Sequence, residues 1–177
     1  MQVEVTAHNP RWKDDFEKEA QKIMAIYGDL LLEIYHIGST SVAGLKAKPV
    51  IDMMPIVSDI NEVDKFDGQM QELGYEPLGE NGIVGRRFFR KCNMSSGKRT
   101  HHVHIFDPSS QDEINRHLAF KAYLNAHPEI ANQYGNLKSR LATAFPDDIE
   151  SYMDGKNDFI KETEKQAVVW YEGNSNS

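Results

Sequence analysis

A stretch rich in small hydroxyl residues joins two apolar runs in the first third of the chain. It reads HIGSTSVAGLKAKPVIDMMPIV from residue 36 to residue 57. Glycine lets a backbone approach an anion closely, and the hydroxyl and N–H groups that follow it can bind phosphate oxygens. The alternative is a tight turn in which a hydroxyl only caps a short helix. The stretch predicts a phosphate site, with candidate residues Gly38, Ser39, Thr40, Ser41 and Lys48.

Asp52 is a single carboxylate within the apolar run PVIDMMPIV. A charge among apolar neighbours is costly unless it is paired or hydrogen-bonded. A divalent metal is one candidate partner, since a glycine–serine turn beside an acidic strand suits a nucleotide with its Mg²⁺. An ion pair with one of three arginines is the other interpretation, and the sequence favours neither. Those arginines are Arg86, Arg87 and Arg90.

Three histidines stand close together in the run THHVHIF. In a strand, alternation places His102 and His104 on one face and His101 on the other. Two imidazoles on one face suit Zn²⁺ or Mn²⁺ better than Mg²⁺, which prefers oxygen ligands. They could instead donate to phosphate, act as a general base, or decorate a solvent-facing strand. We favour a site, with Asp52, His102 and His104 as metal ligands and with Asp52 and His104 as catalytic residues.

Six cationic residues lie between positions 86 and 99 of a chain that is acidic as a whole. Arginine holds phosphate through two parallel hydrogen bonds, so this run predicts a basic wall for a polyanionic ligand, with Arg87 as a candidate phosphate ligand. The alternative is a pair of edge strands whose charged outer faces prevent aggregation.

Composition limits the classes of protein to which this chain can belong. The 177 residues, 40% of them hydrophobic, are enough for one domain with a real core. A net charge of −7 argues against binding to duplex nucleic acid, which needs a dominant basic face. Cys92 is the single cysteine, which excludes a disulfide framework. No apolar stretch approaches a membrane span, and the run MQVEVTAHNP does not resemble a signal peptide, so we expect a cytoplasmic protein without a membrane partner.

The apolar spacing predicts an α+β fold in which a small mixed sheet with flanking helices is followed by a C-terminal helical bundle. We expect one domain over 1–172, with the sheet part to about 107, the helical part over 108–172, and a disordered tail over 173–177. Strands are predicted at 30–37 and 50–57, with a hairpin between 75 and 106. Helices are predicted at 10–27, 60–73, 114–126, 130–145 and about 149–171.

The signature HIGSTSVAGLKAKPVID resembles that of the GrpB-like family, a set of bacterial proteins placed in the nucleotidyltransferase superfamily. The resemblance continues in NPRWKDDFEKEA, RTHHVHIF, FKAYLNAHPEIANQYGNLKSRLA and SYMDGKNDFI. It implies a nucleotidyltransferase-like sheet in which Gly38 and Ser39 face nucleotide phosphates and Asp52 faces a metal. It also implies that the helices contribute Lys138 and Lys156 to the nucleotide site.

The chain departs from the superfamily pattern around Asp52. Nucleotidyltransferases generally carry an Asp-x-Asp pair on this strand and a third carboxylate on a neighbouring one. Here Val50 and Met54 flank Asp52, and one aspartate cannot hold two cations. A further carboxylate close to Asp52 would favour catalysis, and the candidates are Glu33, Glu80 and Asp107.

Two functions remain open. The first is a metal-dependent nucleotidyltransferase, using Mg²⁺, Mn²⁺ or Zn²⁺, that moves a nucleotidyl group from a nucleoside triphosphate to an unknown acceptor. The second is a non-catalytic protein that binds a nucleotide or another phosphorylated small molecule. The sequence leaves the oligomeric state open.

Overall fold

The structure, a computed structural model, describes residues 3–175. Within that range five strands form one mixed sheet: β1 (Leu31–Ile37), β2 (Ile51–Val57), β3 (Tyr75–Pro77), β4 (Arg87–Cys92) and β5 (Arg99–Ile105). The α-helices of the same range are α1 (Arg11–Tyr27), α2 (Asp67–Leu73), α3 (Gln111–Ala126), α4 (Pro128–Ala144) and α5 (Ile149–Ser175). No helix of the described part has both the length and the apolar composition that crossing a membrane requires.

The α+β fold class and the predicted hairpin, now β4 and β5, are confirmed. The helix predicted from residue 60 differs, because Ile60–Phe66 is a 3₁₀ helix and α2 begins only at Asp67. The predicted disordered tail also differs, because α5 continues to Ser175. In its last turn Asn174 donates a side-chain hydrogen bond to the Trp170 carbonyl, which supports the helix end. The last two residues of the predicted tail, 176 and 177, lie outside the described residues.

Two compact units make up the chain. The sheet unit comprises Pro10–Ile37 and Val50–Ile114. The helical unit comprises the residues up to Asn9, the segment Gly38–Pro49 and the chain from Asn115 onward. The predicted change from sheet to helices after residue 107 lies near the Ile114–Asn115 division, whereas the early segment Gly38–Pro49 joins the helices instead of the strands that flank it in sequence.

The order of strands in the sheet is β1-β2-β5-β4-β3. β2 and β5 are parallel, and the other neighbours are antiparallel. The register pairs Asp52 with His102 across β2 and β5, and His102 with Arg90 across β5 and β4. Directly paired residues lie on the same face of a sheet. One face therefore carries Asp52, His102 and Arg90.

Helix α1 packs on the face of the sheet opposite to the one that carries Asp52. That interface is apolar, with Ile23, Met53 and Val103 each 0% exposed. Glu19 of α1 is buried among them at 5% exposure. Its Oε1 accepts hydrogen bonds from the Tyr75 hydroxyl at 2.9 Å and the Lys91 ammonium at 3.0 Å. The buried carboxylate is therefore paired on two sides, as a charge in an apolar interface must be.

The core of the helical unit explains why Gly38–Pro49 belongs to it. Val42 and Leu45 are buried in one apolar cluster with Leu124, Ala131 and other residues of α3, α4 and α5. Backbone bonds in both directions between Thr6 and Ala47 hold the end of the segment. The segment is thus anchored by its own apolar side chains.

The Glu19 pairing predicts a large cost for Glu19→Ala. Removing the carboxylate leaves the Tyr75 hydroxyl and the Lys91 ammonium without their acceptor, and we expect a loss of about 2 to 4 kcal/mol in the free energy of unfolding. The matched control is Glu62→Ala, which breaks an exposed 2.6 Å pair with Lys65 and should cost less than about 1 kcal/mol. Urea unfolding measures both, and equal losses would contradict an organising role for Glu19.

Candidate functional site

In the sheet unit, Asp52 lies between two imidazoles. His104 Nε2 is 3.2 Å and His102 Nδ1 is 3.5 Å from the same atom, Asp52 Oδ1. All three side chains are partly exposed, at 27% for Asp52, 22% for His102 and 14% for His104. The structure therefore brings together these three predicted site residues.

Two further residues complete this group, which we call the Asp52 array: Asp52, His102, His104, Arg86 and Phe88. Arg86 is 7% exposed, and its Nη1 lies 3.4 Å from His104 Nδ1. The Phe88 ring packs against both imidazoles, with centroids 5.5 Å from His102 and 5.2 Å from His104. It also lies beneath the guanidinium, 4.9 Å away. Sequence reasoning missed Phe88, although the hairpin register that places it opposite His104 is the signal for it.

Arg86 is held by the loop that precedes β4. Its Nε donates to the Glu80 carbonyl at 3.2 Å, and its Nη2 donates to the Asn81 carbonyl at 2.9 Å. Asn81 has φ of 47° in the left-handed region, which asparagine tolerates better than most residues. The loop backbone thus fixes the guanidinium beside His104.

The charge of Asp52 is set by competing effects. Burial by itself disfavours the ionised form, but hydrogen bonds from His102 and His104, together with their charge, outweigh it. The pKa of Asp52 is therefore held well below its ordinary value. The carboxylate is ionised at neutral pH.

The interpretation of Asp52 as the partner of Arg87 or Arg90 is wrong. Arg87 Nε pairs with Asp64 at 2.8 Å, and Arg90 Nε pairs with Glu76 at 2.7 Å. Arg87 follows the array residue Arg86 but belongs to the other face of β4, because side chains alternate along a strand. The structure thus places this candidate phosphate ligand outside the array.

The donor set around Asp52 does not fit the pair of divalent cations that the resemblance to nucleotidyltransferases leads one to expect. The three candidate carboxylates are engaged with backbone N–H groups: Glu33 with Ile34, Glu80 with Gly85, and Asp107 with Ile60 and Ser109. Within residues 3–175, no group of three or more His, Cys, Asp or Glu side chains is arranged to hold a metal ion. One carboxylate with two hydrogen-bonded imidazoles cannot replace several acidic ligands.

In the helical unit, the turn after β1 positions the predicted hydroxyl residues. Gly38 has φ of 72° and ψ of −173°, a conformation that requires glycine. Ser41 Oγ donates to the Gly38 carbonyl, and Thr40 is only 3% exposed. Ser41 and Thr40 therefore shape the turn, whereas Ser39 Oγ accepts a hydrogen bond from Lys138 Nζ at 2.9 Å.

Two more lysines lie on a single aromatic ring. The ammonium groups of Lys48 and Lys156 are each 5.0 Å from the centroid of Tyr152. Tyr152 is 0% exposed, and burial raises its pKa to about 12. Its hydroxyl has no hydrogen-bond partner within the described part of the chain. The ring is thus a buried platform for two cations.

The packing of α4 on α5 places Lys138 and Lys156 in the same stretch of the helix pair. Tyr134 of α4 stacks on Phe159 of α5 with centroids 5.3 Å apart, and further along α4 the Leu141 side chain meets Gly155. Lys138 lies between the α4 contacts, and Lys156 lies between those of α5. We call Ser39, Lys48, Lys138 and Lys156 the lysine cluster.

Residues 2–166 match the family described as GrpB protein. The chain belongs to the GrpB family. YqkA of Bacillus subtilis is 44% identical over 175 residues, which cover 99% of this chain and 50% of that protein, so the chain spans half the length of YqkA. The glutamate-rich protein GrpB of Alkalihalophilus pseudofirmus is 34% identical over 91% of this chain and 93% of that protein.

Two solved structures are similar to the structure of this chain. GrpB from Enterococcus faecalis has a TM-score of 0.91 and 48% identity, covering 95% of this chain and 99% of that chain. The Cid1 poly(U) polymerase with MgGTP bound has a TM-score of 0.53 and 12% identity, covering 78% of this chain and 44% of that chain. The second likeness shows a shared nucleotidyltransferase fold alone. The match of residues 2–166 to the GrpB family is what confirms the family resemblance read from the sequence.

The low pKa of Asp52 predicts how stability depends on pH. A carboxyl whose folded pKa is depressed stabilises the fold above its unfolded pKa, and that contribution is lost as pH falls through the folded value. Between about pH 5 and pH 3 the wild type should lose about 1 kcal/mol more than Asp52→Asn. Urea unfolding at the two pH values measures this difference. Equal losses would show that the imidazoles do not stabilise the carboxylate.

Proposed function

We propose that the protein binds a nucleotide or another phosphorylated small molecule through the lysine cluster. The observation that carries the proposal is the hydrogen bond from Lys138, which is 2% exposed, to Ser39 in the Gly38 turn. A buried ammonium directed at a serine hydroxyl provides both a charge and a hydrogen-bonding group for an anion.

Charge supports a ligand with several phosphoryl groups. The chain as a whole has a net charge of −7, yet the cluster gathers three ammonium groups in one unit. Lysine is a common phosphate ligand because its ammonium acts as a compact charge with three donors. A diphosphate or triphosphate engages three such charges better than a single phosphate does.

A second candidate function is nucleotidyl transfer from a nucleoside triphosphate to an acceptor. The fold shared with a poly(U) polymerase supports it. The single carboxylate at Asp52, without acidic neighbours at Val50 and Met54, supports the binding function instead. Binding is therefore the first choice, and transfer is the function to test against it.

Substitution of the lysine cluster tests binding. We expect Lys156→Gln and Ser39→Ala each to weaken the binding of nucleoside triphosphates about tenfold, because each removes a hydrogen-bonding group from a charged partner. The matched control is Lys161→Gln, an exposed lysine in the same helix. Isothermal titration calorimetry with the four ribonucleoside triphosphates and inorganic triphosphate measures the affinities. No binding to any probe, or an equal loss in the control, would contradict the proposal.

Pyrophosphate release tests transfer. If the second candidate is correct, the protein should release pyrophosphate from a nucleoside triphosphate in the presence of Mg²⁺, Mn²⁺ or Zn²⁺, and Asp52→Asn should abolish the release. Asp64→Asn, which removes a carboxylate paired with Arg87, is the control and should keep the release. Tight binding without pyrophosphate release would favour the binding function.

A further inference from the structure

We propose that Asn81 is a modification site: its side-chain amide is lost spontaneously through attack by the Gly82 nitrogen, and the product changes the acceptor that holds Arg86. The residues concerned lie in the loop between β3 and β4 of the sheet unit. Neither phosphate binding by the lysine cluster nor a metal at Asp52 is required.

Asn81 and Gly82 form the one Asn-Gly pair of the sequence. An asparagine amide is most readily lost when glycine follows, because glycine has no side chain that shields its backbone nitrogen. Among the described residues, apart from the chain neighbours, no heavy atom lies within 4 Å of the position that a Gly82 Cβ would occupy. The space beside the attacking nitrogen is therefore open.

The pair occupies the two central positions of a tight turn. Asn81 has φ of 47° and Gly82 has φ of 91°, and the Ile83 N–H donates to the Glu80 carbonyl at 3.1 Å. Two successive positive φ values closed by this bond indicate a type I′ turn, for which Asn-Gly is a preferred pair. The bond that closes the turn uses the Ile83 N–H and not that of Gly82. Asn81 and Gly82 are both exposed, so water reaches them.

The reaction needs water and no oxidant or reductant. The Gly82 nitrogen attacks the side-chain carbonyl carbon of Asn81, so that a new C–N bond closes a five-membered imide ring. The bond to the amide nitrogen breaks, and ammonia leaves with the proton that the Gly82 nitrogen loses. Water then adds to one of the two ring carbonyls, the C–N bond there breaks, and the ring nitrogen regains a proton.

The two possible products differ in what they offer to Arg86, whose Nη2 donates to the main-chain carbonyl of Asn81 at 2.9 Å. Opening of the ring at the side-chain carbonyl gives aspartate and keeps this acceptor. Opening at the main-chain carbonyl gives isoaspartate, in which the chain continues through the former side chain and the carbonyl that held Arg86 becomes a carboxylate. A carboxylate binds a guanidinium more strongly than a carbonyl does.

The change reaches the Asp52 array through the same guanidinium. Arg86 Nη1 lies 3.4 Å from His104 Nδ1, while its Nε donates to the Glu80 carbonyl at 3.2 Å. Isoaspartate lengthens the main chain by one carbon between the residues that follow Glu80. We therefore expect isoaspartate, and not aspartate, to move the guanidinium that contacts His104.

Asn93 provides a control within the same unit. It is also an exposed loop residue, at the turn between β4 and β5. Its Oδ1, however, accepts hydrogen bonds from the N–H groups of Ser95 at 2.9 Å and Ser96 at 3.1 Å, which fix the side chain. Met94 follows it, so a side chain stands beside the nitrogen that would attack. We therefore expect Asn93 to keep its amide under conditions in which Asn81 loses it.

Peptide mapping by mass spectrometry tests the site. The full chain is incubated in a mildly alkaline buffer, which favours loss of the Gly82 proton, in the folded state and in parallel in urea. It is then digested at acidic pH, and each asparagine is monitored for replacement of its amide by a carboxyl group, with isoaspartate and aspartate separated by chromatography. We expect the folded chain to convert Asn81 before every other asparagine and to give both products.

Two outcomes of this mapping would overturn the proposal. Conversion of Asn81 in urea alone would show that the folded turn protects the amide. Conversion of Asn81 in the folded chain no faster than that of Asn93 would show that the turn provides no modification site. Gly82→Ala, which keeps the asparagine but places a methyl group beside the attacking nitrogen, should slow the conversion several-fold. If this variant does not fold, the comparison of folded and urea-treated wild type decides the matter.

Nitrogen-15 NMR tests the effect on Arg86. The Arg86 Nε–H group donates to the Glu80 carbonyl, so its resonance reports on how the guanidinium is held. We expect the isoaspartate form, separated from the incubated protein by ion exchange, to shift this resonance from its position in the unmodified protein. Freshly purified Asn81→Asp, which adds the charge but keeps the main-chain acceptor, is the matched control and should shift it less. An equal position in the isoaspartate form and the unmodified protein would overturn the effect on Arg86.

Discussion

The contact between the Asp52 carboxylate and two imidazoles is the interaction on which the sheet unit depends. β2 is apolar on both sides of Asp52, so an ionised carboxylate there requires hydrogen-bonding partners. The parallel pairing of β2 with β5 supplies them, because it sets His102 directly beside Asp52 and His104 two residues further on. A slip of one residue would move both histidines to the other face and leave the charge unpaired.

The charges across the sheet follow from the same register. Asp52, His102, Arg90 and Glu76 occupy directly paired positions on four neighbouring strands, so an acid lies at each end of the row with an imidazole and a guanidinium between them. On the opposite face, Glu19 accepts from Tyr75 and Lys91 beneath α1. Each face therefore carries ionised groups whose partners come from another strand or helix of the unit. These polar pairings favour one register over its neighbours.

In the helical unit, three lysine ammonium groups lie against tyrosine rings. Lys138 lies 4.3 Å from the Tyr134 ring centroid, and Lys48 and Lys156 share the Tyr152 ring. Cation–π contacts stabilise an ammonium while leaving its donors directed elsewhere. Such groups suit a binding role. Val42 and Leu45, which are buried in the apolar core of the helical unit, anchor the segment that begins with the Gly38 turn.

The sequence by itself determined features that depend on one helix, strand or turn at a time. Apolar spacing predicted the α+β class, the helices and the hairpin, because periods of 3.6 and 2.0 residues are properties of a single element. The same alternation predicted that His102 and His104 share a face. The signature around Gly38 and Ser39 indicated the family, which the comparisons confirm. The turn at Gly38 is likewise a local feature, because the backbone conformation of this residue requires glycine.

Only the tertiary structure decided the partners. Whether Asp52 meets arginine or histidine depends on which strand lies beside β2, and that strand is β5, some fifty residues later in the chain. Arg86 and Arg87 are neighbours of the same type, yet a loop directs the first at His104 while alternation directs the second at Asp64. These outcomes depend on strand order, register and the path of a loop, and none of them is encoded in the spacing of residues along one element.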